Sequence, residues 1–136
     1  MKTEAQIQRE LVSYIRSAYP NTWLIANPQS RKKKAVHLRK LDVREGFESK
    51  QPDIIINRVV TFKGKVYLGI LLELKKDKTR IYKKDGSFSS TSIKGQFDYM
   101  ENHGSNYFKY FGVGYDMAKE IIDDFFSLKD FELNEK

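Results

Sequence analysis

Three side chains near the middle of the chain have the types and spacing to hold a divalent cation and a water molecule: Asp53, Glu73 and Lys75. They sit at the two ends of Pro52–Lys75, a stretch rich in aliphatic and β-branched residues. Ile54–Val60 and Val66–Leu74 each read as a strand, and Lys63-Gly64-Lys65 reads as the turn of a hairpin. The nearly continuous apolar runs predict strands covered on both faces, inside a sheet rather than at its edge. Side chains two apart on a strand share a face, so Glu73 and Lys75 point the same way, roughly 7 Å apart. If the hairpin is regular, Asp53 reaches the same end of the sheet. Charges placed there cost several kcal/mol each unless they are paired or bind a metal. Two converging carboxylates make a hard-oxygen site suited to Mg²⁺, and a lysine beside them can hold or polarise a water. The plain alternative is that Asp53 caps a turn while Glu73 and Lys75 form a structural ion pair.

The elements that must position these groups follow from periodicity. Thr3 or its neighbourhood starts a first helix with the apolar stripe Ile7, Leu11, Tyr14, Ile15 and Ala18, and Pro20-Asn21 ends it. Glu4 falls in line with this stripe and Glu10 about 100° away from it. A carboxylate on the buried side of a first turn makes Glu4 a further candidate for a metal site; an exposed first turn is the alternative. Trp23–Ala26 is a short strand, stopped by Asn27-Pro28. After the hairpin, Ser87–Ser92 offers hydroxyl caps for a second helix with the stripe Ile93, Phe97 and Met100. Gln96 lies on the edge of that stripe, aimed at the sheet end carrying Asp53 and Glu73. Gly104 suits a C′ position, Tyr107–Val113 is an aromatic-rich strand, and Asp116 is placed to cap a last helix through Ile121, Ile122, Phe125 and Phe126. The tail from Asp130 to Lys136 is expected to fray.

Charge is unevenly distributed. The chain is +7 overall, but residues 1–97 hold 21 Lys/Arg against 9 Asp/Glu, and residues 98–136 hold 4 against 9. The excess is concentrated in two stretches predicted as loops, about 28–45 and 76–92. The first carries Arg31, Lys32, Lys33, Lys34, Arg39, Lys40 and Arg44; the second carries Lys76, Lys78, Arg80, Lys83 and Lys84. A basic body of this kind suits a polyanion, each cation that neutralises a phosphate adding salt-sensitive affinity. Tyr82 among the lysines can stack on an unpaired base or anchor the loop to the core. No cysteine is present, which excludes disulfides, thiolate metal sites and cysteine nucleophiles. The two histidines, His37 in a basic loop and His103 at a helix end, argue against zinc. Without an 18-residue apolar run or a signal-peptide pattern, the chain reads as a single soluble domain over 1–136, cytoplasmic and without a membrane partner.

Pro-Asp, then about twenty residues, then Glu-x-Lys resembles the PD-(D/E)XK nuclease superfamily. Glu4 on the first helix, Gly46 before Pro52-Asp53 and Gln96 on the helix after the Glu-x-Lys strand extend the likeness to the VRR-NUC (virus-type replication-repair nuclease) family, over nearly the whole chain. Lys50 departs from the glycine those domains often carry two residues before the Pro-Asp. The resemblance implies a restriction-endonuclease-like α/β core, a mixed sheet of about four strands flanked by helices in αβββαβα order. That order agrees with the element reading above. It further implies Mg²⁺ or Mn²⁺ held by Asp53, Glu73, the Leu74 carbonyl and Glu4, with Lys75 positioning and helping to deprotonate water and Gln96 orienting it. The implied activity is phosphodiester hydrolysis in DNA. Stand-alone domains of this size resemble virus- and phage-encoded enzymes that cut branched DNA, four-way junctions included, as homodimers. A flap or nicking nuclease, and a non-catalytic DNA-binding module using the same basic loops, are the alternatives.

Overall fold

The computed structural model describes residues 1–27 and 51–132. Helix α1 (Glu4–Ala18) begins at a capping box: the Thr3 hydroxyl accepts from the Gln6 backbone N–H, and the Gln6 side chain accepts from the Thr3 N–H. Strand β1 (Trp23–Ala26) follows, then β2 (Ile54–Phe62) and β3 (Lys65–Lys75). Lys63 and Gly64 both have positive φ, 50° and 75°, the pair of left-handed residues that a two-residue hairpin turn with the twist of its strands requires. Helix α2 (Thr91–His103), strand β4 (Tyr107–Val113), helix α3 (Tyr115–Phe126) and the two-residue strand β5 (Lys129–Asp130) complete the chain.

The sheet runs β1-β2-β3-β4, with β1, β2 and β3 antiparallel in succession and β4 parallel to β3. Its even-numbered face, Ile54, Ile56, Ile70, Leu72 and Leu74, packs on Ile7, Leu11 and Ile15 of α1 and Ala118, Ile122 and Phe125 of α3. These are the stripes that periodicity predicts. The opposite face is covered by α2, whose Ile93 and Met100 are buried. This is the mixed sheet with helices on both faces expected of a restriction-endonuclease-like core.

Four details differ from the sequence reading. The hairpin is not regular: Arg58 and Val59 together oppose Leu68, a bulge that shifts the register by one residue between Asn57↔Gly69 and Val60↔Tyr67. The tail does not fray at Asp130, because Lys129 and Asp130 pair with Thr61 and Val60 beside β1 on the outer edge of β2. Arg58 secures that closure. Its guanidinium donates to the Phe125 and Leu128 carbonyls at 3.0 and 2.8 Å and meets Asp130 at 2.8 Å, a cation satisfying carbonyls at a helix C-terminus. The α3 cap is Gly114 (φ 82°) rather than Asp116, which lies in the first turn. Gly104 caps α2 at φ −110°, outside the left-handed region; its need for glycine is steric, since a Cβ there would lie 2.4 Å from Leu71 Cδ1.

Candidate active site

The bulge decides which side of the sheet Asp53 faces. Continued from Phe62↔Lys65 without interruption, the hairpin would set Asp53 across from Leu74, facing the α1/α3 core. With the one-residue shift, Ile54 pairs with Leu72, and the next step outward sets Asp53 across from Glu73. Directly opposed residues share a face, so Asp53, Glu73 and Lys75 all lie on the α2 side. All three are buried, at 0, 1 and 9% exposure. Gly69 permits this register, because a Cβ there would fall 2.0 Å from the Ile56 carbonyl oxygen.

Each group is held by a separate element. Asp53 Oδ2 accepts from the Leu74 backbone N–H at 2.7 Å, tying the start of β2 to the end of β3. The Asp53 carbonyl accepts from the Asn27 N–H at 2.9 Å and from Gln8 Nε2 at 3.0 Å. The same Gln8 amide reaches the Asn27 carbonyl at 2.8 Å. Gln8 is the residue that sequence reasoning missed: a buried amide on the apolar face of α1, one polar interruption at stripe spacing, fixes the backbone on which Asp53 sits. From α2, Gln96 Nε2 donates to Glu73 Oε1 at 3.0 Å, while its own Oε1 is buried and accepts no hydrogen bond among the described residues. The end of β3 is pinned by the Gly114 N–H donating to the Lys75 carbonyl at 2.8 Å.

The remaining candidates separate. Glu10 forms an exposed pair with Lys2 at 2.6 Å. Glu4 is half-buried one helical turn before Gln8, on the face of α1 turned toward Asp53. It does not join the other carboxylates: among the described residues, no three His, Cys, Asp or Glu side chains gather closely enough to hold a metal by themselves. The donors that fit a hard cation are therefore Asp53 and Glu73. The Leu74 carbonyl adds to them, since in an extended strand the C=O and N–H of one residue point to the same edge, here the edge Asp53 occupies.

Of the two basic stretches, Arg31, Lys32, Lys33, Lys34, Arg39, Lys40 and Arg44 lie outside the described residues, as do His37, Gly46 and Lys50. Lys76, Lys78, Arg80, Lys83 and Lys84 are all exposed, on a segment running from the end of β3 to α2. That segment is not a loose loop. Tyr82 pairs with Phe88 as an antiparallel bridge closed by the Asp85-Gly86 turn, with the Lys83 N–H donating to the Ser87 carbonyl at 2.7 Å. Among the described residues, no helix is long and apolar enough to cross a membrane.

A helix-flanked mixed sheet with buried carboxylates at the end of its central hairpin defines a restriction-endonuclease-like fold. A solved structure described as a VRR_NUC domain protein shares it: the match covers 97% of this chain and 94% of that one, with a TM-score of 0.64 at 20% identity. No family model matches the sequence, and no curated protein does.

Proposed function

We propose that the chain is a nuclease of the VRR-NUC type, a divalent-metal-dependent endodeoxyribonuclease that hydrolyses phosphodiester bonds. The observation that carries this reading is the convergence of buried Asp53, Glu73 and Lys75 on one face of the sheet, with the Gln96 amide on Glu73. Asp53 and Glu73, with the Leu74 carbonyl, would hold Mg²⁺ or Mn²⁺, and Glu4 would add a second carboxylate shell. The ion, when bound, supplies Lewis acidity at the phosphoryl oxygen and lowers the pKa of a coordinated water. Lys75 holds the attacking water by hydrogen bonding and shares in its deprotonation. Gln96 fixes the Glu73 carboxylate with its Nε2 and presents its buried Oε1 as an acceptor for a water proton. Lys76, Lys78, Arg80, Lys83 and Lys84 bind the DNA backbone, joined by the basic residues of 31–44. The substrate is branched duplex DNA, four-way junctions included, cut by a homodimer in the cytoplasm; the family resemblance supports that part of the reading.

The test is incubation with junction, flap, single-stranded and plain duplex DNA, with and without Mg²⁺. Cleavage that requires Mg²⁺, stops with EDTA and is abolished in Asp53→Ala and Lys75→Ala supports the proposal. Cutting that survives EDTA, or DNA binding with no cutting of any substrate, contradicts it. A chain that sediments as a monomer counts against paired cuts across a junction.

A further inference from the structure

We infer that the short hairpin between β3 and α2 is a stacking platform for an unpaired base, with Tyr82 as the contact residue. This deepens the nuclease reading and rests on it, because it names the DNA feature the enzyme holds beside the cut. The hairpin is internally tied. The Ser89 N–H donates to the Ile81 carbonyl at 2.8 Å, the Gly86 N–H to the Lys83 carbonyl at 3.0 Å, and Asp85 Oδ1 accepts from both the N–H and the hydroxyl of Ser87 at 2.9 and 2.6 Å. Its aromatic residues form a ladder. Tyr82 stacks on Phe88 with centroids 5.2 Å apart, and Phe88 packs on Phe97 at 5.0 Å. Phe97 adjoins Gln96, whose amide is on Glu73, so the ladder runs from the catalytic helix outward. At its outer end Tyr82 is 51% exposed.

Tyr82 offers a half-exposed ring on a hairpin that its own hydrogen bonds hold in place. Its neighbours identify the occupant. Arg80 stands two residues before Tyr82 and Lys84 lies in the turn just after it, and both are exposed. Cations that follow a phosphate backbone beside a ring that offers a π-face are the two parts of a single-strand site. Bases within a continuous duplex are already stacked on both faces, so only an unpaired base can take the tyrosine. The platform therefore selects DNA with a single-stranded arm, gap or branch point next to the scissile bond.

The experiment places 2-aminopurine at the unpaired position of a flap and titrates the protein in EDTA, where no cleavage occurs. Stacking on Tyr82 changes the 2-aminopurine emission on binding. Tyr82→Leu abolishes the change and weakens flap binding by roughly tenfold or more, as expected for one lost base stack, while plain duplex binding changes less than about twofold. Tyr82→Trp restores both signals, which excludes a folding defect. Equal weakening on flap and plain duplex, or unaltered flap binding by Tyr82→Leu, overturns the inference. Metal-dependent cleavage measured separately on the wild type reports on the nuclease reading, so the two fail independently.

Discussion

Two acidic centres lie on opposite sides of the same sheet, and they are built for different ends. On the α1/α3 side, Asp123 is surrounded by donors. Its Oδ1 accepts from the Tyr14 and Tyr19 hydroxyls at 2.5 and 2.6 Å, and its Oδ2 meets Lys119 Nζ at 3.1 Å. Burial alone would raise its pKa, but the two hydroxyls and the lysine outweigh that and hold it below the usual carboxylate range. The Tyr19 hydroxyl is correspondingly pushed well above its ordinary value by burial and by Asp123. One negative charge meets one positive charge and two dipoles, and the result fastens α1 to α3. On the α2 side, two deeply buried carboxylates, Asp53 and Glu73, share a face with Lys75. Among the contacts that hold them, the Leu74 N–H donates to Asp53 and the Gln96 amide to Glu73. The first centre is a structural lock closed by its own donors; the second is the one on which the proposed metal site rests, two hard-oxygen carboxylates brought to one face.

Substitutions sharpen that contrast. The largest effect is expected at the second centre. Asp53→Ala or Glu73→Gln should reduce metal-dependent DNA cleavage by on the order of a thousandfold or more, read by gel assays of cleavage. Gln96→Leu should cost about 10- to 100-fold in activity or metal affinity, the usual range for a partner that orients a ligand. At the first centre the order reverses. Asp123→Asn should leave specific cleavage unaltered and destabilise the fold by about 1–3 kcal/mol, seen by urea denaturation. A carboxylate whose folded pKa is depressed contributes stability that is present above its unfolded pKa, about 4. That stability is lost as pH falls through the lower folded value, so the difference between wild type and Asp123→Asn should shrink below about pH 4. Smallest of all, Lys94→Ala removes an exposed i,i+4 pair with Asp98 and should cost no more than about 0.5 kcal/mol.

How far the sequence disclosed these centres depends on the range of the interactions. Glu73 and Lys75 were readable because a period of two is local to one strand, and Gln96 because a helical stripe fixes its side. The Lys63-Gly64 turn was readable from its residue types. The bulge at Arg58-Val59 was not: nothing in an apolar run marks where a strand takes one extra residue. A regular hairpin would have turned Asp53 to the wrong face, so the expected meeting with Glu73 comes about by an irregularity the sequence reading did not contain. Gln8 and Arg58 escaped for a related reason. Their partners are carbonyls 45 residues and more than 60 residues away, visible only once the chain is folded. The Asp123 lock joins residues more than 100 positions apart, and read locally it was only an acid beside an apolar stripe.

The most direct measurement of the central claim is calorimetric titration of the DNA-free protein with Mn²⁺, wild type beside Asp53→Ala. Saturable binding in the wild type that disappears in Asp53→Ala, while Asp123→Asn still binds, is the predicted result. Absence of saturable Mn²⁺ binding in the wild type, or binding that persists unaltered in Asp53→Ala, would contradict it.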